Sequence, residues 1–253
     1  MTHFVRMSSW VAAILLAVLP TVGTAQSNCQ PVLTAETSAG AMVKLSLSSS
    51  CHANAAATIH HSGMMVSTML DGNGGFALDF PAMTEAALFM VELDDGAVAV
   101  ASTEVPSLSF YDRVALQWQG EAGLELHARE FGADYMTEGH VWRGAPRSMD
   151  YAALGEGGFL VALGSPAVIG AQRAEVYTFP TATTRQNGEI SLTVEAVVGE
   201  GNCNQSIEAN ALRTERVRGL NVRTVTIEIP SCEASGDILV LNNLIENLII
   251  GNN

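Results

Sequence analysis

Apolar residues recur at every second position through most of this chain, and that spacing limits its fold more than any other feature. Val43, Leu45 and Leu47 alternate with Lys44, Ser46 and Ser48, and Phe76, Leu78 and Phe80 alternate with Ala77 and Asp79. Further on, Ile190, Leu192, Val194 and Ala196 alternate with Ser191, Thr193 and Glu195, and Val225, Ile227 and Ile229 repeat the pattern before Pro230. A period of two puts successive side chains on opposite faces of an extended backbone, so these segments read as half-buried strands. Gly- and Asn-rich clusters at 71–75, 155–158 and 199–202 punctuate them as turns. Near the C-terminus Leu241, Leu244, Ile245 and Leu248 fit helical spacing. The run 238–241 is β-like, however, and Asn242, Asn243 and Asn247 are poor helix formers, so a strand is expected there. The expected fold class is mainly β: antiparallel β-sandwich-like domains with few helices, after an N-terminal signal peptide.

The signal peptide is assigned to residues 1–25. His3 and Arg6 lie in a short polar start, an apolar run follows from Trp10 to Leu19, Pro20 breaks it, and Gly23, Thr24 and Ala25 precede Gln26. Charged, apolar and small-residue regions in that order are what a signal peptidase reads, and ten apolar residues are short for a membrane span. Export decides how the four cysteines are read. Cys29, Cys51, Cys203 and Cys232 form an even set with no Cys-x-x-Cys pair, which in an oxidising compartment suggests two disulfides rather than a metal site. Four cysteines allow three connectivities. Cys29 to Cys51 and Cys203 to Cys232 are favoured, because each pair closes a compact loop, a constraint worth about 3 kcal/mol in the chain-entropy model.

Three segments follow the leader: 26–111, an N-terminal β-sandwich-like domain; 112–180, a central β-rich segment; and 181–253, a C-terminal β segment with a disulfide. The soft breaks are Pro106, Pro180 and the polar stretch 181–188. In the centre, 114–119 and 124–129 flank Gly120-Glu121-Ala122-Gly123 and are expected to pair as a hairpin. Bringing both apolar faces together sets Trp118 opposite Leu124, Leu116 opposite Leu126, and Val114 opposite Ala128. His127 and Glu125 then share the polar face with Ala115 and Gln117, and Arg113 falls across from Arg129.

Charge excludes one class of partner. Twenty-six Asp and Glu against twelve Lys and Arg give −14, whereas a nucleic-acid binder needs a cation at each phosphate contact. With 48% hydrophobic and 15% charged residues the chain is too apolar for disorder. After the leader no apolar run is long enough for a membrane span. Lys44 is the only lysine beside eleven arginines.

The densest group of reactive side chains surrounds His127 and His140, with Glu125, Glu130, Asp134 and Glu138 close in sequence and Trp118, Tyr135 and Trp142 nearby. Trp118, His127, Tyr135, His140 and Trp142 are therefore the candidate ligand region. Metal binding or acid–base work requires the loop 130–140 to fold back and the two rings to line a pocket with nitrogens within about 5 Å. In the preferred structural reading Tyr135 and Trp142 cover a sheet end, and no catalytic residue, metal or cofactor is assigned. His60 and His61 point to opposite faces of a strand, the wrong geometry for one ion. Asp71-Gly72-Asn73-Gly74-Gly75 starts like a calcium loop but has Gly75 at position five and Met83 at position twelve, so it reads as a turn. Arg213, Arg216, Arg218 and Arg223 are expected to pair with acidic groups of the same chain rather than with an anionic ligand. Phosphate-loop, dinucleotide, nucleophile-elbow and zinc-helix motifs do not occur.

Two resemblances add to this reading. His61 through Asp71-Gly72-Asn73-Gly74-Gly75-Phe76 to Phe80-Pro81-Ala82 is similar to carboxypeptidase-regulatory-type β-sandwich modules, which implies a spacer or adhesive domain. Over most of the chain, 114–120, Leu126-His127-Ala128, Glu130-Phe131-Gly132-Ala133, Gly139-His140-Val141-Trp142, 174–180 and 231–248 resemble a family of exported, uncharacterised alphaproteobacterial proteins, some labelled translocase. That resemblance implies a periplasmic or secreted location and an envelope or protein partner, and it brings no site residue. Pores, spanning helices and energy-coupling motifs, which translocation needs, are not evident after the leader.

Overall fold

A computed structural model describes residues 1, 29–215 and 219–251; the leader assigned above lies outside them apart from Met1. The first seven strands are β1 (Val32–Ser38), β2 (Met42–Ser48), β3 (Ala56–His61), β4 (Met64–Met69), β5 (Gly75–Pro81), β6 (Ala86–Leu93) and β7 (Val98–Glu104). Ten more follow: β8 (Asp112–Gln119), β9 (Leu124–Glu130), β10 (His140–Val141), β11 (Phe159–Leu163), β12 (Gln172–Phe179), β13 (Gly188–Val197), β14 (Ser206–Glu215), β15 (Gly219–Glu228), β16 (Ile238–Asn242) and β17 (Leu248–Ile250). One short α-helix, α1 (Met149–Ala153), interrupts them, with the Ser148 hydroxyl accepting from Tyr151 N at its start. The chain is mainly β, as its alternation implies, and near the C-terminus Leu241 and Leu248 lie in strands, with Leu244 and Ile245 in the connection between them.

The strands form four antiparallel sheets. Strands β1-β2-β5 and β4-β3-β6-β7 enclose one core, in which Leu45, Ile59, Phe80 and Phe89 are fully buried. Strands β11-β12-β8-β14-β15 pack against β10-β9-β13-β16, with β17 also on β13, around a second core containing Leu116, Leu126, Val194 and Phe179. Strands from 112–180 and 181–253 interleave: β8 lies between β12 and β14, and β9 between β10 and β13.

The expected central hairpin does not form. Strand β8 pairs with β12 and β14, while β9 pairs with β13 and β10 in the opposite sheet. The connection, with Gly120 at φ +78° and Gly123 at φ +67°, carries the chain across the sandwich. Val114, Leu116 and Trp118 still share a core with Leu124, Leu126 and Ala128. They meet face to face between layers about 10 Å apart, instead of side by side on one sheet. Matching apolar faces satisfies either arrangement, so pattern alone does not choose between them. Arg113 and Arg129 consequently never meet as a cross-strand pair.

Both faces of β8 are buried. Val114, Leu116 and Trp118 enter the second core while Ala115 enters the first, and Arg113 and Gln117 go with Ala115. Gln117 Oε1 accepts from Met65 N at 2.7 Å, joining the β4 edge to β8. Arg113, wholly buried, donates to Thr178 Oγ1 at 3.0 Å and to the carbonyls of Ala82 and Gly40. Among the described residues no carboxylate pairs with it, and burial pulls its guanidinium down to about 9. Gly40 takes φ +67° in the β1–β2 turn, and a Cβ there would lie 3.1 Å from the Phe159 ring.

Two disulfides brace the ends of the described chain. Cys29–Cys51 ties the segment before β1 to the β2–β3 turn, and Cys203–Cys232 joins the β13–β14 loop to the turn after β15. These are the favoured pairings. The arginine fork that joins the two halves yields a direct test: Arg113→Lys keeps a charge but leaves at least one buried carbonyl unpaired, and should lower unfolding free energy by about 3 kcal/mol in urea denaturation.

Candidate functional site

Strand alternation places the candidate site on the outer face of the β10-β9-β13-β16 sheet. Leu124, Leu126 and Ala128 turn inward on β9, leaving Glu125, His127 and Arg129 outward. Their cross-strand partners on β13 are Glu195, Thr193 and Ser191, where the hairpin reading expected Ala115 and Gln117. His140 sits on β10 opposite Arg129.

The loop 130–140 does fold back. Ala133 N donates to Glu130 O at 3.0 Å, His140 N to Thr137 O at 3.0 Å and Glu130 N to Gly139 O at 2.9 Å, so the loop closes on its own backbone. Trp142 then turns over the imidazoles, in a tight turn where Ala145 N donates to Trp142 O at 2.9 Å. Gly144 is required there, because a Cβ would lie 2.4 Å from the Trp142 ring.

Four of the five predicted residues converge. His127 Nδ1 and His140 Nε2 are 2.8 Å apart. The Trp142 ring stacks 5.1 Å from His127 and 5.7 Å from His140, and Tyr135 meets His140 edge-on at 5.0 Å. Trp118 does not join them: it is buried in the second core, on the inner side of the opposite sheet.

Donor and acceptor roles follow in sequence. Met136 N donates to His140 Nδ1 at 3.0 Å, so the His140 proton resides on Nε2. That proton points at His127 Nδ1, which must accept, leaving the His127 proton on Nε2. This last nitrogen is buried 3.4 Å from Glu125 Oε2 and 3.7 Å from Glu195 Oε2. Tyr135 Oη donates to the other Glu195 oxygen at 2.5 Å, and the Arg129 guanidinium lies 4.8 Å over the Tyr135 ring. Burial lowers both imidazoles below their ordinary value: the Glu195 and Glu125 carboxylates partly oppose this at His127, and the neighbouring His127 adds to it at His140. The rings are 4% and 1% exposed and point at each other, so both cannot direct a lone pair to one ion. Among the described residues no three His, Cys, Asp or Glu side chains form a metal-ligand group.

Two buried carboxylates support the site from beneath. At the uncovered edge of β9, Glu175 Oε2 accepts from Leu126 N at 2.5 Å, and Arg143 donates to Leu124 O at 3.3 Å and Glu175 Oε1 at 2.6 Å. Burial raises the Glu175 carboxyl above its usual range, against the pull of the Leu126 amide and Arg143. Glu130 accepts from Tyr177 Oη at 2.6 Å, Gly158 N at 2.7 Å and Arg147 at 2.7 Å. Glu195, Glu175, Arg143 and Arg147 were missed because their partners are distant in sequence. For Glu195 a signal existed, since alternation puts it on the polar face of β13. Asp134 and Glu138 stay at the exposed surface of the loop.

No protein-family model and no curated protein matches this chain. The remaining candidates are therefore judged on geometry alone. His61 is buried inward: its Nε2 accepts from Met83 N at 2.8 Å, its Nδ1 faces Leu88 O at 2.8 Å, and Phe89 stacks at 4.3 Å. His60 faces out, on the opposite side of the strand. Asp71 Oδ1 accepts from Asn73 N at 2.8 Å and Gly75 N at 3.0 Å, bonds that hold its carboxyl below the usual range and make the segment a turn. Arg213 pairs with Glu215 at 2.5 Å and donates to Glu246 O at 2.9 Å, while Arg223 holds Leu244 O. Arg216 and Arg218 lie outside the described residues.

Two measurements follow. Nitrogen-15 NMR at pH 8 should show His127 and His140 both in the Nε2–H tautomer. Burial holds His61 down to about 4 from its ordinary 6.5, so between those values the unfolded chain binds the extra proton. The stabilisation is complete above pH ~6.5 and is lost as pH falls towards ~4, about 3 kcal/mol in all. His61→Gln, which keeps an acceptor for Met83 N, should flatten that part of a stability–pH curve.

Proposed function

We propose that this chain is an exported, non-catalytic β protein acting as a binding or structural module in the bacterial periplasm or at the cell surface. The observation that carries this reading is that its most reactive cluster is consumed internally. Both nitrogens of His140 and Nδ1 of His127 meet the chain's own groups, and His127 Nε2 is buried against two carboxylates. A hydrolase or metal enzyme built on these rings needs a nitrogen facing a cavity that admits substrate.

Two disulfides support an oxidising location, where such bonds persist. A net charge of −14 favours solubility and a protein or basic envelope partner. The likeness to exported alphaproteobacterial proteins and to regulatory-type sandwich modules belongs to this proposal. The translocase label gains nothing from the geometry: among the described residues no helix is long and apolar enough to cross a membrane, which says nothing of β-barrels.

Crosslinking in intact cells, followed by capture from the envelope fraction, should recover a specific envelope protein. Mass spectrometry of the captured chain should find Gln26 as the first residue and no free thiol. Met1 still attached with four free thiols would overturn export. Hydrolytic turnover that disappears in folded His127→Gln protein would overturn the non-catalytic assignment.

A further inference from the structure

The outer face of the β4-β3-β6-β7 sheet carries an imidazole flanked by two thioethers. On β3, His60 is the register partner of Met65 on β4 and of Met90 on β6. Register partners share a face, so the imidazole is flanked on both neighbouring strands by a thioether. His61, Met64 and Val91, their neighbours in sequence, turn inward and are buried. His60, Met65 and Met90 line one open cleft of about 500 Å³.

The imidazole is not consumed by the fold. His60 Nε2 is buried and makes no hydrogen bond, and Glu92 Oε2 lies 3.6 Å away. A buried nitrogen without a hydrogen bond calls for an explanation; among the other described histidines only His127 Nε2 shares that state, and it is closed in by two carboxylates. Unbranched methionine can swing its sulfur across a strand spacing of about 4.8 Å. All four cysteines are locked in disulfides, so thioethers are the only soft sulfur donors in the chain. Thioether and imidazole donors together select copper(I)-like ions rather than calcium or magnesium.

We propose that His60, Met65 and Met90 bind one soft monovalent cation, copper(I) or its chemical analogue silver(I), with the Glu92 carboxylate offsetting its charge. The site is on a different sheet from the imidazole cluster and does not depend on the module reading.

Silver(I) nitrate is the probe, because it shares the ligand preference and undergoes no redox cycling under these conditions. Titration of the full, disulfide-bonded chain should show one retained silver ion by native mass spectrometry. The Met65 and Met90 ε-methyl signals and the His60 ring signals should shift together and saturate at one equivalent. Met65→Leu with Met90→Leu conserves volume and should weaken binding about 100-fold or more, since even outer-shell losses cost 10–100-fold. Met136→Leu, which removes a thioether that is 75% exposed, should leave it unchanged. The wild-type shifts decide the question should the double variant fail to fold. No retained ion, shifts centred on Met136, or full affinity in the folded double variant would each overturn the proposal.

Discussion

A strand buried on both faces must settle every polar side chain it carries against protein, and β8 carries Arg113 and Gln117 into such a position. The fold around it is arranged to meet that requirement. Three neutral oxygen acceptors surround the guanidinium, the Gly40 and Ala82 carbonyls from the first pair of sheets and the Thr178 hydroxyl from the next strand, with the Met42 sulfur at 3.6 Å. Gln117 takes the β4 backbone amide of Met65. These bonds tie the N-terminal sheets to the central one, and because the guanidinium lacks a carboxylate among the described residues, its stability rests on how well those acceptors are placed. The turn at Gly40 directs one of them, and the Phe159 ring lies where a side chain on Gly40 would have to go.

The imidazole cluster obeys the same rule on a smaller scale. Most of its buried nitrogens meet a group of the protein: Met136 N for His140, His140 for His127, and the carboxylates of Glu125 and, from a strand distant in sequence, Glu195 beside the last proton. Below it, Glu175 and Arg143 occupy the amide and carbonyl that β9 leaves unpaired beyond β10. Removing one member of such a set strands the others.

His60 is the contrast. It lies one residue from a histidine whose two nitrogens are both engaged, yet its own Nε2 has no hydrogen bond and its register partners on both sides are methionines. The difference between the two is a matter of strand parity: one side chain is committed to the core and the other to an open cleft.

Local alternation alone showed that the chain is β-rich and which residues share a face of each strand, and the Gly- and Asn-rich run showed that 71–75 is a turn. Cysteine spacing favoured, among three possible connectivities, the pairing that the structure shows. Tertiary structure decided which strands are neighbours, since apolar faces of β8 and β9 are equally buried side by side or across a sandwich. It alone brought Glu195 to His127, buried Arg113 among carbonyls and sent Trp118 to the opposite sheet. The physical reason is that periodicity encodes the face a residue occupies, whereas the partner it meets there is set by packing between segments far apart in the chain.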